Sequence, residues 1–126
     1  MVRRSLLRSP LAALALAAVV LAGCAGSAPA VAEVPDDVGP VTAEPVIAVL
    51  DNVYDPVEVV VEVGTEVTWV WEGRAAHDVV GDGFDSGVQA TGTFTHTFEE
   101  PGAYGYVCTL HPGMDGTVYV VPNPSD

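Results

Sequence analysis

The 126-residue chain contains no lysine, and its only permanently cationic side chains are four arginines. Three of them lie within the first eight residues, so residues 24–126 carry 17 acidic groups against the single Arg74, a formal charge of −16. A surface this acidic excludes nucleic acids and anionic lipid headgroups as partners. It favours either a basic protein partner or a saline environment that screens the self-repulsion, and the sequence leaves both open.

Long apolar runs and paired cysteines are also missing. The run over residues 11–21 has eleven Leu, Ala and Val residues, whereas crossing a bilayer takes about twenty, so no permanent transmembrane helix is expected. The only cysteines are Cys24 and Cys108. They form a disulfide only if both thiols are free in an oxidising compartment.

The first 23 residues have the three parts of a secretory signal peptide: a basic start, a short apolar core and small residues at the end. The sequence Leu21-Ala22-Gly23-Cys24 resembles the lipobox of prokaryotic lipoproteins. That resemblance implies diacylglycerol on the Cys24 thiol, cleavage just before it, and a protein anchored outside the cytoplasm. An ordinary signal peptide with a chance cysteine is the alternative. Arg3-Arg4 leaves export by the general or the twin-arginine route open.

After residue 23, the composition and the apolar pattern of the chain predict a linker and one domain. Residues 24–44 are rich in Ala, Pro, Gly and acid without apolar periodicity, which indicates a flexible linker. Residues 45–121 form the predicted domain and residues 122–126 a short tail. Short β-branched and aromatic runs predict strands at residues 46–50, 57–63, 66–71, 93–98, 103–108 and 116–121. Turn residues separate these runs and no helical period is sustained, so we expect an all-β antiparallel sandwich or barrel.

The chemistry-bearing residues cluster near the end of the domain. Cys108, His111 and Met114 follow one another at intervals of three, on the predicted loop between the last two strands, and His77 lies 31 residues upstream of Cys108. Two imidazoles and a thiolate in a trigonal plane, with a weak axial thioether, suit copper that cycles between Cu(I) and Cu(II). Zinc also binds His and Cys, but Met is a poor zinc ligand. His96 shares the parity of neighbouring phenylalanines and is expected to be partly buried, not a ligand.

The hairpin Val63-Gly64-Thr65-Glu66-Val67-Thr68-Trp69 and the C-terminal pattern of aromatic, Cys, His, Met and Gly residues resemble the cupredoxins. This family of type 1 (blue) copper proteins includes plastocyanin, amicyanin, pseudoazurin and the haloarchaeal halocyanins. The resemblance covers residues 45–121 and implies a Greek-key β-sandwich or barrel. It also implies one copper ion held by four ligands, which are His77, Cys108, His111 and Met114.

Two positions depart from the family pattern. Asp78 stands where the family usually has Asn, and we expect its carboxylate to accept a hydrogen bond from the Thr109 hydroxyl. Val107 replaces the outward tyrosine that relays electrons in plastocyanin, so transfer is expected through the edge of His111.

These residues predict an extracytoplasmic, monomeric electron carrier that meets basic or cytochrome-like redox partners. An enzyme is not expected, because four bound ligands leave no open coordination position for a substrate. A module that stores or delivers copper is the alternative function, and a structural domain with a vestigial site is a third.

Overall fold

The computed structural model describes residues 29–125. The predicted signal peptide, Cys24 and its lipid therefore lie outside the described residues. Nine strands form the described domain: β1 Val46–Leu50, β2 Val53–Asp55, β3 Glu58–Glu62, β4 Glu66–Trp71, β5 Val80–Gly81, β6 Phe84–Asp85, β7 Gly92–Thr97, β8 Gly102–Val107 and β9 Asp115–Val121. Within residues 29–125, no helix is long and apolar enough to span a membrane.

The strands form two sheets, with the orders β2-β1-β4-β7 and β3-β9-β8-β5-β6. The predicted all-β fold is confirmed, whereas the expected antiparallel pairing does not hold for every pair of strands. β1 pairs with β4 in parallel, and so does β3 with β9. Alternation of apolar residues identifies the buried face of a strand and not the direction of its neighbour, so the parallel pairs were not predictable from it.

The core lies between the sheets and is built on Trp69 of β4, which is fully buried. Its indole meets Tyr106 edge-on at a centroid distance of 5.5 Å and stacks against Phe84 at 5.9 Å. Buried and more exposed residues alternate along β1, β4 and β9, so each of these strands contributes one buried face. Cys108 and Met114 belong to the same buried cluster, so both ends of the loop between β8 and β9 are buried in the core.

Part of the predicted linker is bound to the domain. Ala32 and Ala103 exchange two backbone hydrogen bonds of 3.0 and 2.7 Å, and Thr42 donates one of 2.7 Å to the carbonyl of Val60. Residues 32–42 thus connect the start of β8, which the short β5 leaves unpaired, to the free edge of β3. Unpaired strand edges expose hydrogen-bonding groups that favour pairing with more chain. Residues 32 and 42, which belong to the predicted linker, are thus hydrogen-bonded to the domain.

Candidate metal centre

His77 lies on the connection between β4 and β5 and is fully buried. Its backbone exchanges two hydrogen bonds of 3.0 Å with Gln89, and its carbonyl accepts one of 3.2 Å from the Trp71 indole. The main chain on both sides of the imidazole is thus fixed by neighbouring segments. The orientation of the His77 imidazole ring is then determined by the contacts of its two nitrogens.

The other three candidate ligands lie on the tight loop between β8 and β9. Cys108 follows the last residue of β8, and its N–H donates to the Met114 carbonyl at 2.9 Å, while the Met114 N–H donates to the His111 carbonyl at 3.1 Å. Gly113, at φ 83°, adopts the left-handed conformation that closes the loop and that glycine reaches without strain. The three-residue spacing read in the sequence is therefore folded into one compact turn.

The side chains of His77, Cys108 and His111 converge, with their donor atoms all within 4.8 Å of one another. The Cys108 Sγ lies 3.8 Å from Nδ1 of His77 and 3.4 Å from Nδ1 of His111. Donors at metal bond lengths of about 2.0 Å for nitrogen and 2.3 Å for sulfur lie about 3.7 Å apart in a trigonal plane. The nitrogen–sulfur distances therefore fit one ion at the centre of the cluster.

Met114 closes the loop and is 2% exposed. It belongs to the same buried cluster as Cys108, which is 4% exposed, so a thioether and a thiol occur together in a water-poor environment. Soft sulfur donors combined with imidazole favour copper, and a methionine in the set disfavours zinc. The chemistry of the four residues together is that of a type 1 copper site.

Asp78 joins the two ligand-bearing segments, as expected from the sequence. Its Oδ1 accepts a hydrogen bond of 2.7 Å from the Thr109 N–H, and its Oδ2 accepts one from the Thr109 hydroxyl. The Tyr54 hydroxyl donates to the Asp78 carbonyl at 2.6 Å, and burial of Tyr54 raises its pKa, which keeps it a neutral donor. Asp78 is 4% exposed, so its carboxyl group is buried beside two of the candidate ligands.

A second carboxylate, which sequence reasoning missed, contacts His77 directly. Oδ1 of Asp51 lies 3.1 Å from the His77 Nε2. Asp51 occupies the two-residue turn between β1 and β2, and hydrogen bonds from the Ala75 N–H and from His77 lower its pKa. Nothing in the sequence around Asp51 marks it, since it is 26 residues from His77 and resembles any acidic turn residue.

His96, Arg74 and Val107 lie outside the donor cluster. His96 is half-buried, stacks on Phe84 at a centroid distance of 4.9 Å, and has a pKa lowered by burial. Arg74 is exposed and lies three residues before His77, while Val107 is half-buried at the end of β8. Of these, His96 was expected to be partly buried, and the structure confirms it.

One side of the cluster is close to solvent. His111 is half-buried, and the residues beside it, Leu110, Pro112 and Gly113, are exposed, with Leu110 at 43%. By contrast His77 is fully buried. The cluster is therefore accessible from the His111 side, through an uncharged surface on an otherwise acidic molecule.

The fold and the four-residue donor set define a small copper protein of the type 1 class. Residues 47–121 match the model of the family described as copper binding proteins, plastocyanin/azurin family, and the chain belongs to this family. The cupredoxin membership expected from the sequence is thereby confirmed, as is copper as the cofactor.

Similar proteins support the same assignment. The chain is 44% identical to halocyanin of Natronomonas pharaonis over 77 residues, which cover 53% of this chain and 47% of halocyanin, less than half of that protein. It is 31% identical to amicyanin-alpha of Methylorubrum extorquens over 117 residues, 86% of this chain and 93% of that one. A solved purple cupredoxin from Nitrosopumilus maritimus superimposes with a TM-score of 0.58 at 30% identity, covering 62% of this chain and all of that one.

Proposed function

We propose that this protein is an electron carrier in which one copper ion is held by His77, Cys108, His111 and Met114. The observation that carries the proposal is the convergence of two imidazoles on the Cys108 thiol within 4.8 Å, with both Cys108 and Met114 buried. Copper held by these residues would supply one-electron redox chemistry between Cu(II) and Cu(I), with an electron donor and an electron acceptor as the reaction partners. Its relatives halocyanin and amicyanin support this function.

The protein's own contribution is to hold the donors in place in both oxidation states. Backbone hydrogen bonds fix His77 through Gln89 and close the loop from Cys108 to Met114. Interactions that keep the donor positions constant reduce the rearrangement that accompanies each transfer. A rigid site with buried sulfur thus suits repeated one-electron exchange.

Electrons enter and leave on the His111 side. The imidazole of His111 is half-buried and is the most exposed of the donor groups, and the neighbouring residues Leu110, Pro112 and Gly113 offer an exposed uncharged contact surface. Val107 stands in place of the relay tyrosine of plastocyanin, so a lateral route is not proposed. The charge of −16 on residues 24–126 then attracts a basic or cytochrome-like partner from a distance.

Copper storage or delivery is the second candidate function, favoured only by the presence of a copper site itself. Exchange of the ion needs accessible ligands, but His77 is fully buried and Cys108 is 4% exposed. This burial favours an ion that stays with the protein. A catalytic role is not proposed, because four protein donors leave no position for a substrate.

The proposed location is the outer face of the cell membrane, with the chain cleaved before Cys24 and a diacylglycerol on the Cys24 thiol. The lipobox at residues 21–24 and the signal-like residues 1–23 support it. Mass spectrometry of the native N-terminus should show a lipid-modified Cys24, and Cys24→Ser should release the protein from membranes or block processing. An unmodified N-terminus at another residue would refute the anchor without affecting the copper site. In this setting the domain acts as a monomer.

Electron carriage and copper delivery are separated by two measurements on the copper-loaded domain. Stopped-flow mixing of the Cu(II) protein with a reduced basic c-type cytochrome measures electron transfer. Incubation of the Cu(I) protein with an apo copper acceptor measures release of the ion. We expect fast oxidation of the cytochrome and slow loss of copper, whereas sluggish electron exchange with rapid copper release would establish delivery instead.

A further inference from the structure

We propose that Asp51 is a positioning residue of the metal centre, which orients His77 and holds the loop that carries it. This inference rests on the proposed copper site but concerns a residue outside the ligand set. Oδ1 of Asp51 is 3.1 Å from Nε2 of His77, while Nδ1 of the same ring is 3.8 Å from the Cys108 Sγ. The two nitrogens therefore have different partners. With Nε2–H donating to the carboxylate, the lone pair of Nδ1 is left free to face the site.

The same carboxylate oxygen also holds the backbone that precedes His77. Oδ1 of Asp51 accepts hydrogen bonds of 2.9 Å from the N–H groups of both Arg74 and Ala75. The peptide groups just before them are bound to the same strand end, because the N–H groups of residues 72 and 73 donate to the Val49 carbonyl at 3.0 and 3.1 Å. The turn after β1 thus fixes both the loop and the ring, and Asp51 connects the two.

Gly73 is an independent indication that the position of the Asp51 carboxylate restricts which residues fit nearby. A Cβ on Gly73 would lie 2.5 Å from Oδ1 and 2.9 Å from the backbone nitrogen of Asp51. Real Cβ atoms essentially never approach so closely, so any larger residue here would displace the carboxylate. Gly73 does not have a positive φ. Glycine is therefore required at this position by the close approach of Asp51 and not by backbone conformation.

Losing such a partner is expected to weaken metal binding without removing a ligand. Groups that hydrogen-bond to a ligating imidazole fix its tautomer and orientation, and their loss typically costs about 10- to 100-fold in metal affinity. Asp51→Ala removes the acceptor, and Gly73→Ala leaves every charge in place but pushes the carboxylate away. Asp51→Asn keeps a carbonyl oxygen at the Oδ1 position.

The test is competition for Cu(I) between the protein and a chromogenic Cu(I) chelator. Asp51→Ala and Gly73→Ala should both bind Cu(I) about 10- to 100-fold more weakly, and Asp51→Asn should bind close to the wild type. Glu66→Ala is the matched control, since Glu66 is an exposed carboxylate at the far end of β4, and its affinity should be unchanged. An Asp51→Ala protein with wild-type affinity would overturn the proposal.

A second measurement needs neither copper nor a folded variant. Long-range ¹H–¹⁵N NMR of the wild-type apo-protein should show His77 protonated on Nε2, with a proton that exchanges slowly with water. A His77 Nε2–H that exchanges as fast as that of an exposed imidazole would contradict the role of Asp51, even if the protein binds copper normally. A wild type that binds no copper would instead contradict the proposed function.

Discussion

The carboxylate of Asp78 holds Thr109 at two points across 31 residues of sequence, through the backbone N–H at 2.7 Å and through the hydroxyl. Asp78 directly follows the imidazole donor His77, and Thr109 directly follows the sulfur donor Cys108. The contact therefore joins the two segments that carry the metal centre. It also places a negative charge where the family usually has a neutral amide.

Asp78→Asn should raise the reduction potential, because it removes a buried negative charge that favours Cu(II) over Cu(I). A unit charge about 8 Å from a redox centre contributes about 2 kcal/mol at an effective dielectric of about 20, or roughly 90 mV for one electron. Protein film voltammetry measures the shift. The amide oxygen can still accept from the Thr109 N–H, so copper should be retained. A potential equal to or below that of the wild type would show that the Asp78 charge does not act on the metal.

Met114→Leu tests the axial position. Loss of a weak thioether donor disfavours Cu(II), so the variant should keep copper and colour while its potential rises by several tens of millivolts. Voltammetry and visible absorption of the same sample check both parts. If the variant lost all copper, the role of Met114 as a weak axial donor would be wrong.

Electron transfer at low ionic strength should depend on the surface beside His111. Pro112→Glu places a charge in the uncharged contact surface and should slow stopped-flow reduction by a basic cytochrome with little change in potential. Val46→Glu adds the same charge at the exposed start of β1 and should not slow it. The wild-type rate should fall as salt rises, since electrostatic attraction of this kind accelerates association by about 10 to 10³. Equal slowing in both variants would place the contact surface elsewhere.

Gly116→Ala should destabilise the apo-domain. A Cβ at this buried position would lie 2.4 Å from the Tyr106 hydroxyl oxygen, and overpacking of a core typically costs about 1–3 kcal/mol. Urea unfolding of the apo-protein measures the free energy of unfolding without the contribution of copper. Gly39→Ala is the control, because nothing lies within 4 Å of its Cβ. Equal stability of the two variants would mean that the Tyr106 ring can move aside.

The sequence predicted the parts of this protein that depend on local pattern. The alternating strand β4, from Glu66 to Trp71, matches its predicted bounds, because two tryptophans and a valine on one parity bury one face. Short strands such as β5 and β6 have two residues each and cannot show a period. They are therefore absent from the strands predicted from the sequence.

In the metal site, too, the sequence predicts the residues that lie close together along the chain and misses the contacts between distant segments. Cys108, His111 and Met114 are recognisable together because one tight loop keeps them close in sequence. The contact of Asp51 with His77 arises from the pairing of β1 with β4, and such tertiary pairing leaves no local signal. The Asp78–Thr109 contact was anticipated only because the family resemblance identified both positions.

The most direct test of the account is the visible absorption spectrum of the copper-loaded domain, with Cys108→Ser as its partner. The oxidised wild type should bind one copper and show an intense blue band that arises from charge transfer between the Cys108 thiolate and Cu(II), and this band should disappear on reduction. Cys108→Ser should lack the band even where it retains copper. A wild-type domain that takes up zinc but never copper, or a Cys108→Ser protein with the same intense band, would contradict the assignment.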